Sequence, residues 1–188
     1  MIKLRKIISV DSKIKLRLLD KGHTEKLFEL TMNNRVYLRQ WLPWVDKNTK
    51  LKNTEDFIAF TLKEFSERRG AHYGIFCPHL AGVIGFHKLD WVNRKTELGY
   101  WLGESFQGKG LMTKACQALI HYAFSDLNFN RAHIACATEN HKSSAIPKRL
   151  GFRLEGTLKE VEWVNDHFVN HLVFGMLRRD WKKKKDTL

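Results

Sequence analysis

The feature that most constrains the fold of this chain is a glycine-rich loop that joins a strand pattern to a helix pattern. The strand pattern covers residues 96–102, and the loop ends in Gln107-Gly108-Lys109-Gly110. Beyond the loop, apolar side chains recur at intervals of three and four, at Met112, Ala115, Cys116, Leu119, Ile120 and Ala123. The first N–H groups of a helix lack intrahelical acceptors and carry the positive end of the helix dipole, so the loop is predicted to bind phosphate.

Three nucleotide-binding motifs compete for this loop. A P-loop fits from Gly103 to Lys109, but the next residue is glycine, so the hydroxyl that binds Mg²⁺ is missing. A Rossmann fingerprint requires Gly or Ala where Thr113 stands, and the strand patterns before the loop indicate an antiparallel meander. The third motif, Q/R-x-x-G-x-G/A, matches residues 107–112 except at its last position, Met112. The third motif therefore fits best.

Strand and helix patterns alternate along the rest of the chain. Strands are predicted at residues 14–18, 72–77, 82–89, 96–102, 131–137, 152–161 and 168–177. Helices are predicted at residues 24–33, 36–42, 53–69 with Asn53 as the cap, 111–123, and 144–150 with Ser144 as the cap and Pro147 in the third position. This order predicts the α/β (α+β) class, with a mixed, mostly antiparallel central sheet flanked by helices.

Composition narrows the domain organisation and the cellular setting. No repeat or linker interrupts the chain, so we expect one domain over residues 1–188, with a core at about 12–178 and a basic tail at 179–188. No apolar run approaches the roughly 20 residues of a membrane span, and no signal peptide is recognisable. Three widely spaced cysteines, without a CxxC pair, are typical of reduced thiols. We therefore expect a cytoplasmic protein without membrane contact.

The net charge bears on the binding partners of the chain, and the histidines bear on metal binding. A formal net charge of +13 favours acidic or phosphate-bearing partners. One class of function is therefore a basic, ribosome- or RNA-associated binding protein, but no RNP, KH or zinc-knuckle signature supports direct contact with nucleic acid. No Cys/His cluster accompanies the nine histidines, so no metal site is expected. His133 is predicted to be structural.

Several motifs together resemble the GNAT superfamily of N-acetyltransferases. Residues 107–112 resemble its phosphate-binding loop, and residues 140–143 with Gly151-Phe152 resemble the segment that holds the pantetheine. Residues 97–102 resemble the strand before the loop, most closely in the RimJ/RimL branch, which acetylates the N-termini of ribosomal proteins. The resemblance extends from about residue 15 to residue 177. It implies a single GNAT-like domain.

The resemblance implies a cofactor, a reaction and a set of binding residues. The expected activity is acetyl-CoA-dependent transfer of an acetyl group to a primary amine, the N-terminal α-amine of a ribosomal protein, directly within a ternary complex. A small amine or a polyamine is the alternative acceptor, and a homodimer is common in similar proteins. The residues implied to hold acetyl-CoA are Trp101, Leu102, Gln107, Gly108, Lys109, Gly110, Leu111, Met112, Thr113, Asn140 and Ser143.

Acetyl transfer needs an unprotonated amine and a proton for the departing thiolate. Glu162 and Glu97 are the candidate bases, and Glu162 is preferred because its surroundings are similar to those of the proposed base in the RimL-like branch. Many relatives have a proton-donating tyrosine where Pro147 stands here, so Ser143 is the candidate acid. Trp41 and Trp44 lie on the segment that the resemblance assigns to the acceptor entrance, and they are expected to bind substrate.

Overall fold

The computed structural model describes residues 3–185, with the backbone alone for residues 182–185. The strands are β1 Ile7–Ser9, β2 Lys15–Leu18, β3 Ala71–Cys77, β4 His79–Asp90, β5 Lys95–Leu102, β6 Arg131–Ala137, β7 Arg153–Val164 and β8 His167–Leu177. The helices are α1 Thr24–Asn33, α2 Arg35–Leu38, α3 Leu51–Ser66, α4 Leu111–His121, α5 His141–Arg149 and α6 Arg178–Lys185. Most of the predicted basic tail forms α6, and residues 186–188 lie outside the described part. No helix of the described chain has the length and apolar character to cross a membrane.

The strands form one eight-stranded sheet in the order β1-β2-β3-β4-β5-β6-β8-β7. Every neighbouring pair is antiparallel except β5 and β6, which are parallel, so the predicted mixed and mostly antiparallel sheet is confirmed. The parallel pair is short, since only Lys95–Glu97 lies in register with Arg131–His133. Beyond these residues β5 and β6 part, and the sheet opens between them.

Helices cover both faces of the sheet. On one face, α4 buries Leu111, Cys116 and Leu119 in the main core. On the other face, Leu27 of α1 and Ile58 of α3 form a smaller core, against which Trp101 packs. Because side chains alternate along a strand, residues 98, 100 and 102 of β5 face α4, whereas Glu97 and Trp101 face the opposite side. The two faces of β5 therefore present different side chains at the opening between β5 and β6.

Some predicted boundaries are confirmed and others are wrong. The helix predicted at 24–33 coincides with α1, and the strand at 131–137 coincides with β6. Asn53 does not cap α3; it is the third residue of the helix, and its side-chain oxygen accepts a hydrogen bond from the N–H of Lys50 at 3.0 Å. The helix predicted at 36–42 ends at Leu38, and Pro43 then begins a separate 3₁₀ turn.

A bulge in β4 places His87 against the neighbouring strand. The register between β4 and β5 shifts between Phe86 and Lys88, which leaves His87 as the extra residue. Its ring fills the space over Gly99, where a Cβ atom would come within 2.0 Å of the imidazole Nε2. His87 also stacks on His72, with 5.6 Å between ring centroids. Burial lowers the pKa of His72 to about 4, and its Nδ1 is buried without a hydrogen-bond partner.

His72 makes the free energy of unfolding depend on pH. An unfolded histidine binds a proton near pH 6.5, whereas folded His72 does so only near pH 4. The unfolded state therefore binds more protons between these values, so stability is lost as the pH falls from about 6.5 to about 4. The effect at pH 5 is on the order of 2 kcal/mol. His72→Phe keeps a ring for stacking and does not titrate. Its free energy of unfolding in urea should fall less between pH 7 and pH 5 than that of the wild type. An equal fall in both proteins would contradict this account.

Candidate active site

A cleft of about 870 Å³ lies where β5 and β6 part, and we call it the central cleft. Its walls come from β5, the glycine loop, the start of α4, α5 and the segment after α2. The sequence-predicted site residues that line it are Trp41, Trp101, Leu102, Gln107, Gly108, Gly110, Leu111, Met112, Thr113, Asn140 and Ser143. Lys109, Trp44, Glu97 and Glu162 do not line it.

The glycine loop presents backbone to the central cleft. Gly108 and Gly110 have φ angles of +73° and +70°, a conformation that glycine adopts without strain. Gly110 directly precedes α4, so the first N–H groups of that helix point toward the same region. A Cβ atom on either glycine would meet no other atom within 4 Å. The loop therefore borders open space in which an anion fits. Lys109 is directed elsewhere, and its ammonium donates to the carbonyl of Ser105 at 2.8 Å.

Basic side chains surround the loop. The Lys142 ammonium donates to the Gln107 side chain at 3.1 Å, and the Arg149 guanidinium donates to the Thr113 hydroxyl at 3.3 Å. Both contacts join α5 to the loop or to α4 across the cleft. Cations next to a helix N-terminus favour phosphate groups. The charge, the loop conformation and the space thus fit the pyrophosphate of coenzyme A.

Helix α5 begins earlier than predicted, and its cap is different. Asn140 caps the helix, because its side-chain oxygen accepts a hydrogen bond from the N–H of Ser143 at 3.1 Å. The expectation that Ser144 is the cap is wrong; its hydroxyl donates to the carbonyl of His141 at 3.2 Å. Pro147 is accordingly the seventh residue of α5, not the third. Asparagine is one of the residues preferred in the cap position, and Asn140 comes before Ser144 in the sequence.

Because of Pro147, one backbone carbonyl of α5 accepts a hydrogen bond from a residue of the sheet and not from within the helix. A residue at position 147 with an N–H would donate to the carbonyl of Ser143, four residues earlier, but proline has no N–H. The Tyr100 hydroxyl donates to this carbonyl instead, at 3.1 Å, and the Ser143 hydroxyl lies 3.5 Å from the Tyr100 oxygen. Burial raises the pKa of Tyr100 well above its usual value, so the phenol stays protonated. Sequence patterns did not point to Tyr100 as a site residue; the proline inside α5 was the available signal.

The two candidate bases lie on the opposite sheet face from Tyr100. The Glu97 carboxylate lies 3.4 Å from the His133 imidazole, and a hydrogen bond from that imidazole is the main cause that lowers the pKa of Glu97. The Glu162 carboxylate lies 3.0 Å from the His171 imidazole. No group of three or more His, Cys, Asp or Glu side chains within residues 3–185 could hold a metal ion.

The predicted acceptor tryptophans are packed to different degrees. Trp41 lines the central cleft, whereas Trp44 tilts against Trp101 with 6.1 Å between ring centroids. Trp44 is still 39% exposed. Asn165, in the turn between β7 and β8, donates from its side chain to the carbonyl of Arg39 at 3.1 Å, which ties that hairpin to the same segment.

The Tyr100–Pro147 relation can be tested by a double-mutant cycle. Tyr100→Phe removes the donor to the Ser143 carbonyl and should lower the free energy of unfolding by about 1–2 kcal/mol. Pro147→Ala restores an N–H in the helix. Tyr100→Phe should therefore cost less in the Pro147→Ala background than in the wild type, as measured by urea unfolding. Equal costs in both backgrounds would show that the two residues do not share this carbonyl.

Comparisons with known proteins agree with this geometry. A family model described as an acetyltransferase (GNAT) domain matches residues 13–153. The Bacillus subtilis protein YdaF is 36% identical over 178 residues, which are 94% of this chain and 97% of that protein. The ribosomal-protein-serine acetyltransferase of Escherichia coli K12 is 32% identical over 162 residues, which are 86% of this chain and 90% of that enzyme.

A solved acetyltransferase structure is similar to this chain in its fold as well as in its sequence. RimL, a ribosomal L7/L12 α-N-protein acetyltransferase in complex with coenzyme A, is similar with a TM-score of 0.89 and 31% identity. The similarity covers 93% of this chain and 99% of that chain. The loop conformation, the central cleft and these comparisons together lead to one conclusion: the chain belongs to the GNAT acetyltransferase family and is an acyltransferase that uses acetyl-CoA.

Proposed function

We propose that this protein transfers the acetyl group of acetyl-CoA to the N-terminal α-amine of a ribosomal protein, in one step within a ternary complex. The observation that carries the proposal is the opening between β5 and β6. Tyr100, on the α4 face of β5, lines the central cleft with the glycine loop and Ser143, and Glu97 lies on the opposite face. A thioester bound from one face can therefore meet an amine that enters from the other.

Acetyl-CoA would lie along the central cleft and supply an activated acetyl thioester. The N–H groups of residues 111–113 and the loop backbone would hold its pyrophosphate, with Lys142 and Arg149 nearby as cations. The residues proposed to line the rest of its path are Trp101, Leu102, Gln107, Met112, Asn140 and Ser143. Lys109 contributes its backbone, because its side chain is bound to Ser105.

The proton donor and the base are proposed on opposite faces. The Ser143 hydroxyl would protonate the departing thiolate and would regain its proton from water. Glu162 is the preferred base, because the hydrogen bond from His133 lowers the pKa of Glu97 and so makes Glu97 the weaker base. A backbone N–H of residues 100–102 would stabilise the oxygen that gains negative charge.

Direct transfer is favoured over a covalent acetyl-enzyme. Cys116 is fully buried, and burial raises the pKa of its thiol far above the usual value. Burial also raises the pKa of Cys136. A thiol is a good nucleophile only as the thiolate. Neither cysteine is therefore suited to attack the thioester.

The choice of acceptor is supported by the relatives and by charge. The similar enzymes from Escherichia coli and in the solved structure are named for ribosomal proteins. A net charge of +13 suits an acidic protein partner. A homodimer and a cytoplasmic location stay predictions.

The role of the glycine loop is tested with Gly110→Ala. A side chain at φ +70° is strained by about 1–2 kcal/mol, and its Cβ would protrude into the space proposed for the phosphates. The Kd for acetyl-CoA, measured by isothermal titration calorimetry, should rise at least tenfold. Gly156→Ala is the matched control, because a Cβ at Gly156 also meets nothing within 4 Å but the residue lies in β7 without a positive φ. Equal Kd values for the two variants would rule out the proposed phosphate site.

The acceptor is identified by intact mass spectrometry. The protein is incubated with acetyl-CoA and either a ribosomal-protein mixture or a panel of polyamines. We expect one ribosomal protein to gain a single acetyl group, localised by fragmentation to its N-terminus. Acetylation of a polyamine alone would reject the proposed acceptor and keep the enzyme class. No acetylated product, despite binding of acetyl-CoA, would favour a binding protein with a vestigial cleft.

A further inference from the structure

Tyr37 of α2 lines the central cleft and has no part in the proposed reaction. Its ring faces the side chain of Lys142, the second residue of α5, and the Lys142 ammonium lies 5.4 Å from the ring centroid. The same ammonium donates to the side-chain oxygen of Gln107 at 3.1 Å. One cation therefore connects α2, α5 and the glycine loop.

The Lys142 ammonium is not neutralised by a carboxylate. Its two partners are an aromatic ring and an amide oxygen, and it forms no ion pair within residues 3–185. Glu104 is the one carboxylate among the described residues that line the cleft, and it is not an ion-pair partner of Lys142. A ring face attracts a cation without removing its charge. The ammonium is therefore available to an anion that enters the cleft.

Two hydrogen bonds hold α2, the helix that carries Tyr37, in place. Just before the helix, the Asn34 side chain accepts a hydrogen bond from the N–H of Glu104 at 2.8 Å. At the start of the helix, the Arg35 guanidinium donates to the carbonyl of Val45 at 2.7 Å. The ring of Tyr37 therefore stands on a fixed support, whereas a lysine side chain is long and flexible.

This arrangement reduces the entropy that ligand binding must remove. A lysine side chain loses rotamer freedom when a ligand fixes its ammonium group. Because Tyr37 and Gln107 already hold the Lys142 ammonium in the cleft, part of that freedom is absent before the ligand arrives. Preorganisation of this kind lowers the Kd without requiring a contact between the ring and the ligand.

The anion that fits this cation is a phosphate group of acetyl-CoA. Gln107, which accepts the hydrogen bond from Lys142, begins the loop in which Gly108 and Gly110 border the space proposed for the phosphates. The ammonium therefore lies beside that space. Lys148, another exposed lysine of α5, does not line the cleft, so its charge is not presented to the same ligand.

We propose that Tyr37 is a positioning residue for acetyl-CoA, which acts by holding the Lys142 ammonium beside the phosphates of the cofactor. The inference rests on the proposed phosphate site and does not depend on the identity of the acceptor. Tyr37 takes part in no bond that the reaction makes or breaks. Thioesters that carry the phosphates of coenzyme A are thereby favoured over thioesters that lack them.

The test measures the Kd for acetyl-CoA by isothermal titration calorimetry. Lys142→Met removes the charge and should raise the Kd about tenfold. Tyr37→Leu removes the ring and should raise the Kd about fivefold, whereas Tyr37→Phe keeps the ring face and should stay within about twofold of the wild type. Lys148→Met is the matched control, because it removes an exposed lysine of the same helix outside the cleft, and its Kd should equal that of the wild type.

Two comparisons separate positioning from a direct contact with the cofactor. Because Tyr37 acts through Lys142, Tyr37→Leu should not raise the Kd further in the Lys142→Met background. S-acetylpantetheine carries the thioester without the phosphates, so its Kd, measured by NMR titration, should be the same for Tyr37→Leu and the wild type. Additive effects in the double variant, or equal losses for both thioesters, would overturn the proposal.

A measurement on the wild type keeps the test decisive if Tyr37→Leu folds poorly. The ring current of Tyr37 should shift the ε-methylene NMR signal of Lys142 upfield, and addition of coenzyme A should leave this shift in place. The signal is assigned by its absence from the spectrum of Lys142→Met. Loss of the upfield shift on binding would show that the ammonium leaves the ring, and the proposal would be rejected.

A failure of the proposed phosphate site gives a different result. If Gly110→Ala leaves the Kd for acetyl-CoA unchanged, the phosphate site is wrong and the role of Tyr37 is wrong with it. If Gly110→Ala raises the Kd and Tyr37→Leu does not, the phosphate site stands and only the role of Tyr37 is rejected.

Discussion

The structure depends on how far β5 and β6 stay paired. They are the one parallel pair among the described strands, and their register ends after Glu97 and His133. If the ladder continued, backbone hydrogen bonds would close the sheet and no cleft could exist between residues 100–102 and α5. Because the ladder ends, the backbone of β5 is open to a ligand while its side chains still alternate between two covered faces. The opening thus gives a cofactor access to β5 and leaves the opposite face of the strand for the proposed acceptor.

Helix α5 is attached to this opening by a hydrogen bond that an ordinary helix would make internally. Proline at position 147 removes the donor for the Ser143 carbonyl, and Tyr100 of β5 supplies it. The lost helical bond is replaced by one between a helix and a strand, so the position of Ser143 is fixed relative to the sheet. Asn140 fixes the same residue from the other side through its N–H. A candidate proton donor is therefore held in place by contacts to its backbone.

Local patterns predicted much of the fold, and longer-range pairing explains what they missed. Periodicity located α1 and β6, and the glycine motif located the loop that lines the central cleft. Helix caps were less predictable. Lys50, not Asn53, precedes the first residue of α3, and Asn140, not Ser144, caps α5. The contact between Glu97 and His133 depends on a parallel register between distant segments. The contact between Glu162 and His171 follows a register shift in the β7–β8 hairpin, which no local pattern indicates.

The distribution of charge explains how a strongly basic protein can accept a cationic substrate. Lys142, Arg149 and the start of α4 surround the central cleft, where a polyanionic cofactor fits. On the other face, Glu97, Glu155 and Glu162 stand among histidines, and Arg131 is neutralised by its pair with Glu155. An ammonium group approaching this face meets carboxylates, whatever the net charge of +13. Since exposed charges beyond about 10 Å are largely screened by salt, the local groups decide which substrate ion each face attracts. The two faces of one sheet therefore suit the anionic cofactor and the proposed cationic acceptor.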